Sequence, residues 1–173
     1  DPKTGERVRA TSQVLPVVPL EEPGYAFAYD TFDFPGGLVI DTLLQLFLSW
    51  QDPPGENYYM VNLYGSNSFD SLGSNGLLGL TGDQQTYSTS DQLFSGNPIR
   101  DTLIFRDYRP GDTVAVALSN ISEIYYQYLT TRERSGSSIF TTLLKEPVSY
   151  PSNVEGGYGL FNLHLPSIRL LAL

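Results

Sequence analysis

The sequence predicts a mainly β protein, an antiparallel sandwich or partly open barrel with one packed α-helix. Three observations carry this. Apolar and polar residues alternate with period two in several runs, as in strands with one buried face. The 16 glycines and 12 prolines fall between those runs, where turns are needed. Only Asn120 to Ser135 repeats its apolar residues at helical spacing. A length of 173 residues with 40% hydrophobic and 17% charged side chains suits one globular domain. Residues 1–173 are therefore read as a single β-rich domain.

Each element follows from its own pattern. Glu6 to Ser12 alternates and reads as a first strand. Pro16, Pro19 and Pro23 forbid a regular ladder, so Leu15 to Gly24 reads as an irregular crossing. Tyr25 to Phe34 alternates aromatics with small or acidic residues until Pro35-Gly36-Gly37 ends it. Leu44, Leu46, Leu48 and Trp50 share one strand face, and Gln51 to Glu56 (QDPPGE) forms a turn. The strand after it carries Tyr58, Met60, Asn62 and Tyr64 on one face and Tyr59, Val61 and Leu63 on the other. The face with the aliphatics is the better candidate for the core, and the two strands read as a hairpin.

Gly65 to Ser90, rich in Ser, Asn, Gly and Asp, reads as a long loop with one short strand at Leu77 to Thr81. A second hairpin is expected from Asp101–Asp107 and Thr113–Leu118, with Pro110-Gly111 as the centre of a type II turn. Ala115 and Ala117 leave room for another element, expected to be the helix. Asn120 is its expected cap, with Glu123 returning the bond. Ile121, Ile124, Tyr125, Tyr128 and Leu129 form its apolar stripe, Arg132 and Arg134 suit its C-terminal end, and Gly136 ends it. Fifteen residues make a helix of about 22 Å. Tyr158 to Leu165 alternates again, and Ile168 to Leu173 reads as a closing strand.

Charge and residue types narrow the chemistry. A net charge of −9 with scattered Lys and Arg disfavours nucleic acid and anionic membranes. The chain has no cysteine, so disulfides, thiolate metal sites and a thiol nucleophile are excluded. His164 is the only histidine and reads as a half-exposed strand residue. No G-x-S-x-G elbow accompanies it, so no catalytic residue is assigned. Asp30, Asp33, Asn67, Asp70 and Asp83 match no calcium loop, and no metal or cofactor is expected. Glu56, Glu123, Glu146 and Glu155 could pair as hydrolytic carboxylates, but any acidic chain offers such pairs. Glycines 156, 157 and 159 lead into a strand rather than a helix, so they suit a close backbone crossing and not a phosphate.

The positive feature is aromatic content, 12 Tyr and 9 Phe. Tyrosines on an outward face can stack on a sugar or anchor a protein partner. The candidate binding residues are Tyr58, Tyr59, Tyr64 and Tyr126.

Five stretches occur in an order that resembles a known pattern. They are Arg9-Ala10-Thr11 with Leu15-Pro16, then Asp52-Pro53-Pro54-Gly55-Glu56-Asn57-Tyr58-Tyr59, then Asp91 to Gly96. Tyr108 to Val114 with the tyrosine-bearing helix, and Pro151 to Phe161, complete the set. The pattern resembles an uncharacterised family of Bacteroidota outer-membrane lipoproteins, whose members join an N-terminal sandwich to a C-terminal β-rich region. The resemblance implies that this chain covers mainly the C-terminal region of a longer exported lipoprotein. The chain starts at Asp1 and carries no lipid-bearing cysteine, so it reads as a processed or truncated product. Its implied setting is the cell envelope, beside TonB-dependent transporters or other outer-membrane complexes, with the membrane reached only through an anchor outside this chain. The leading expectation is a non-enzymatic accessory domain that docks on such a complex. A carbohydrate- or peptide-binding module is the alternative, and a carboxylate-dependent hydrolase the third reading.

Overall fold

The computed structural model describes residues 7–65, 85–92, 97–106, 108–137 and 148–173. Its strands are β1 (Arg9–Ala10), β2 (Gly24–Phe34), β3 (Gly37–Gln51), β4 (Tyr58–Tyr64), β5 (Gln85–Ser90), β6 (Pro98–Phe105) and β7 (Thr113–Ile121). Helix α1 (Glu123–Ser137), β8 (Val154–Glu155) and β9 (Pro166–Ala172) follow. The sheets run β1-β8, β2-β3-β6 and β5-β4-β7-β9, with antiparallel neighbours throughout.

The two larger sheets pack face to face, which resolves the predicted alternatives in favour of a sandwich; neither sheet closes into a barrel. One inner face carries Leu44, Leu46, Leu48 and Trp50 of β3 with Leu103 and Phe105 of β6. The other carries Tyr59, Val61 and Leu63 of β4 with Val114, Val116 and Leu118 of β7. Period-two alternation places these residues together, and the aliphatic face of β4 is the inner one as expected. The proline-rich crossing is stitched to both sheets. Leu20 bridges Trp50, and its N–H donates to Ser167 Oγ of β9 at 3.0 Å.

Helix α1 forms a third layer on the outer face of the four-stranded sheet. Tyr58, Met60, Ile121 and Leu129 are buried there, with Tyr125, Tyr126 and Tyr128 packed around them. Every residue of β4 is therefore buried, one face against the opposing sheet and one toward the helix side. The helix starts later than predicted because Asn120 still pairs with Tyr59 in the ladder. Ser122 opens it instead, its carbonyl accepting the N–H groups of Tyr125 and Tyr126 at 3.0 Å. The helix lies chiefly over β4 and β5. Ala115 and Ala117 pack with Tyr64 and Ile168, not under the helix as expected.

Both expected hairpins are crossings between sheets. Strand β3 lies in the three-stranded sheet and β4 in the four-stranded one, and β6 and β7 are divided in the same way. Turn chemistry was read correctly: Gly55 and Gly111 have φ of 108° and 97°, and Asp112 N–H closes on the Arg109 carbonyl at 3.1 Å. What such a turn leaves open is which sheet receives the returning chain. The true hairpin joins β2 to β3 through Pro35-Gly36, in register from Phe34↔Gly37 to Gly24↔Phe47. The expected strand at Tyr158 to Leu165 is not formed and the segment joins no ladder among the described residues, while the closing strand is present as β9. The expected strand at Leu77–Thr81, the start of the first strand at Glu6, and Asn67, Asp70, Asp83 and Glu146 lie outside the described residues.

Candidate functional site

A groove of about 970 Å³ lies between α1, the outer face of β4–β5 and the segment around His164. Alternation along β4 turns Met60, Asn62 and Tyr64 toward it. Strand β5 adds Gln85 and Thr86, and α1 adds Tyr125, Leu129, Arg132 and Glu133. The floor is polar and ordered: Thr86 Oγ1 donates to Asn62 Oδ1 at 2.9 Å, and Asn62 is buried.

The 161–165 segment contributes His164 to the opposite wall. Its exposed residues are Phe161, Leu163 and Leu165, while the half-buried ones between them are Asn162 and His164. This reverses the usual arrangement, in which the apolar set faces inward. Asn162 Nδ2 lies 3.0 Å from His164 Nδ1, and Ser122 Oγ lies 3.4 Å from Asn162 Oδ1. With Nδ1 accepting, the neutral imidazole carries its proton on Nε2. Burial holds His164 below the ordinary histidine value and raises Tyr64 and Tyr125, so all three favour their neutral forms. The His164 ring stacks on Tyr125 (6.1 Å, 19°), Tyr125 on Tyr128 (6.2 Å, 13°), and Tyr150 lies 5.4 Å from Tyr128. Helical i, i+3 spacing puts the two helix tyrosines in one row.

The structure separates the tyrosines predicted as binding residues. Tyr64 lines the groove. Tyr58 packs against Tyr126, with ring centroids 5.0 Å apart, and donates from Oη to Glu56 Oε1 at 2.8 Å. Burial, then the Glu56 bond, pushes the Tyr58 phenol up to about 12. Tyr59 is 0% exposed between the sheets, where its hydroxyl donates to Asp52 Oδ1, so it presents no atom to a ligand. Sequence reasoning missed Tyr125, Asn62 and His164 as groove residues. The sequence shows the alternation of residues 161–165 but not which of its faces is buried, so it carried no signal for them.

The resembling motifs meet in two structural joints away from this groove. In one, Asn57 Nδ2 donates to Asp91 Oδ2 at 3.1 Å and to the Pro53 carbonyl at 2.8 Å, beside buried Asp52. Asp91 N–H returns to the Asn57 carbonyl at 3.1 Å. In the other, Asn153 Nδ2 donates to the carbonyls of Phe161 (2.7 Å) and Thr11 (3.0 Å). Gly156 has φ 78°, and a Cβ there would stand 2.7 Å from the Arg7 carbonyl oxygen, so the expected close crossing is present. Among the proposed carboxylates, Glu56 is bonded to Tyr58 and Gln92, Glu123 to Gln127, and Glu155 sits in β8. No group of three or more metal-ligating acids or histidines occurs among the described residues.

A second surface projects from the three-stranded sheet. Strand β6 pairs with β3 only from Leu44↔Phe105 to Gln51↔Pro98. From Ala28↔Leu43 to Phe34↔Gly37 the β2–β3 hairpin runs on as a two-stranded arm, about 23 Å long at strand spacing. Tyr29 (60%), Leu38 (65%) and Ile40 (60%) are exposed on it, with Phe32 and Val39.

A family model described as a domain of unknown function (DUF4249) matches residues 2–165. No curated protein and no solved structure matches.

Proposed function

We infer that this chain, which belongs to the DUF4249 family, is a non-enzymatic accessory domain that docks on another protein through the β2–β3 arm. The observation that carries the reading is the set of exposed large apolar side chains on that arm, Tyr29, Leu38 and Ile40 on one face and Phe32 and Val39 on the other. Isolated exposed apolar residues are ordinary, but a contiguous set marks an interaction surface. The arm's strands lack two of the usual protections of a free edge, basic side chains and proline. Neither Gly24–Phe34 nor Gly37–Gln51 contains a Lys, an Arg or a Pro.

Its charges favour a different protein over a second copy. Asp30 and Asp41 face each other across the hairpin, and Asp33 lies near its tip. Asp41 pairs with Arg106 at 3.7 Å. Two such arms would bring acid against acid. The partner is an outer-membrane protein complex, of which a TonB-dependent transporter is the leading case, and the chain works as part of an exported lipoprotein. This finer setting rests on the motif resemblance.

The test is a mild-detergent pull-down of the full-length protein from its native membrane, with mass spectrometry. A stoichiometric outer-membrane partner that is lost in the Leu38→Asp/Ile40→Asp variant supports the reading. Recovery of the protein alone, or a partner retained by the variant, overturns it.

A further inference from the structure

We propose that the groove between α1 and the four-stranded sheet is a binding site for a neutral oligosaccharide. It is a different surface from the arm, separated from the three-stranded sheet by the four-stranded one, and does not depend on the docking reading.

Four observations converge. The groove, at about 970 Å³, sits at the upper end of the roughly 300–1,000 Å³ of small-ligand sites. Its wall is built against the ordinary sorting of residues: the 161–165 segment exposes Phe161, Leu163 and Leu165 and keeps Asn162 and His164 half-buried, with His164 in the groove lining. A chain that merely covered the sheet would reverse that polarity and gain apolar burial. The lining offers amide, hydroxyl and imidazole groups that both donate and accept, which suits hydroxyls that do the same. Beside them stands the ring of Tyr125, which lines the groove and stacks on His164, with Tyr128 stacked behind it. Aromatic rings give the C–H faces of a sugar an apolar surface while their hydroxyls stay polar.

The same features argue against other ligands. Arg132 and Glu133, the charged lining residues, have opposite signs and are exposed on the last turns of the helix. Among the described residues, no cluster of cations lines the groove to hold a phosphate or sulfate. An extended peptide gains affinity by pairing with a sheet edge. This groove instead presents side chains of the sheet face, and the backbone of β4 beneath it is engaged in ladders with β5 and β7. Recognition here runs through side chains, as an oligosaccharide requires.

The experiment is calorimetric titration of the protein with a panel of neutral trisaccharides built from glucose, mannose or N-acetylglucosamine. At least one is expected to bind. Gln85→Ala and His164→Ala are each expected to weaken that binding by about tenfold, the loss of one or two hydrogen bonds. The arm variant Leu38→Asp/Ile40→Asp is expected to bind as wild type does. Melting curves establish that each variant is folded, and Gln85, at the start of β5, lies outside the core. The proposal is overturned by no binding of any member at millimolar concentration. It is equally overturned by binding that both groove variants retain, or by binding of short peptides in place of sugars.

Discussion

Asp52 is a buried carboxylate in a turn, and its value lies in what it holds. It accepts from the Tyr59 hydroxyl at the point where the chain passes from one sheet to the other. Tyr59→Phe removes that donor and leaves the carboxylate one partner short. A loss of roughly 1–3 kcal/mol is expected in urea unfolding, and a stability change near zero would show that the bond contributes nothing. His164 gives a second test at this scale. Its folded value is depressed by burial, whereas the unfolded chain regains the ordinary value, about 6.5. Below that pH the unfolded state binds more protons. The contribution is therefore full above about pH 6.5 and is lost as the pH falls toward the depressed folded value. The melting temperature is expected to drop between pH 7 and pH 5 more steeply in wild type than in His164→Gln. Equal slopes would mean that the ring titrates as it does in water.

At the level of elements, the sequence reveals where the chain turns better than where it goes next. Gly55 and Gly111 sit at the turns expected of them. Yet each turn delivers its strand to the opposite sheet, because sheet membership is decided by which faces bury one another, not by the local φ of a glycine. The helix was legible from its i, i+3, i+4 stripe. Its start was misplaced because Asn120, a good cap by type, is worth more to the ladder opposite Tyr59. The groove was largely hidden, since Asn62 and His164 look ordinary one strand at a time and matter only together. The arm is the element with the most distinct prediction. Residues 29–42 lie beyond the part of β3 that β6 pairs with. Replacing Tyr29 to Thr42 by Asn-Gly, which suits a two-residue hairpin, is expected to leave the melting temperature within a few degrees, since about 1 kcal/mol shifts a domain of this size by roughly 2–4 °C. A large drop would make the arm part of the folding unit and not an appendage to it.

The whole molecule is three layers, with β4 in the middle one buried on both sides and an uncovered arm leaving the outermost sheet. Net charge of −9 is set against that arm. At low salt, acid repulsion holds copies apart. At 1 M salt the screening length shrinks from about 10 Å at 0.1 M to about 3 Å, and apolar contact is no longer opposed. Reversible self-association is expected in sedimentation velocity at high salt, and it should vanish in Leu38→Asp/Ile40→Asp. A wild-type monomer at every salt concentration would show that the arm is not adhesive.

If the arm docks on a partner as proposed, it also has a consequence for abundance. A copy that has found its partner hides those side chains; a surplus copy displays them, and quality-control proteases and holdases act on uncovered apolar chain. The steady-state level of this protein should then follow that of its partner. Depleting the partner would lower it without any change in synthesis, so that supply is matched to demand by the chemistry of one hairpin.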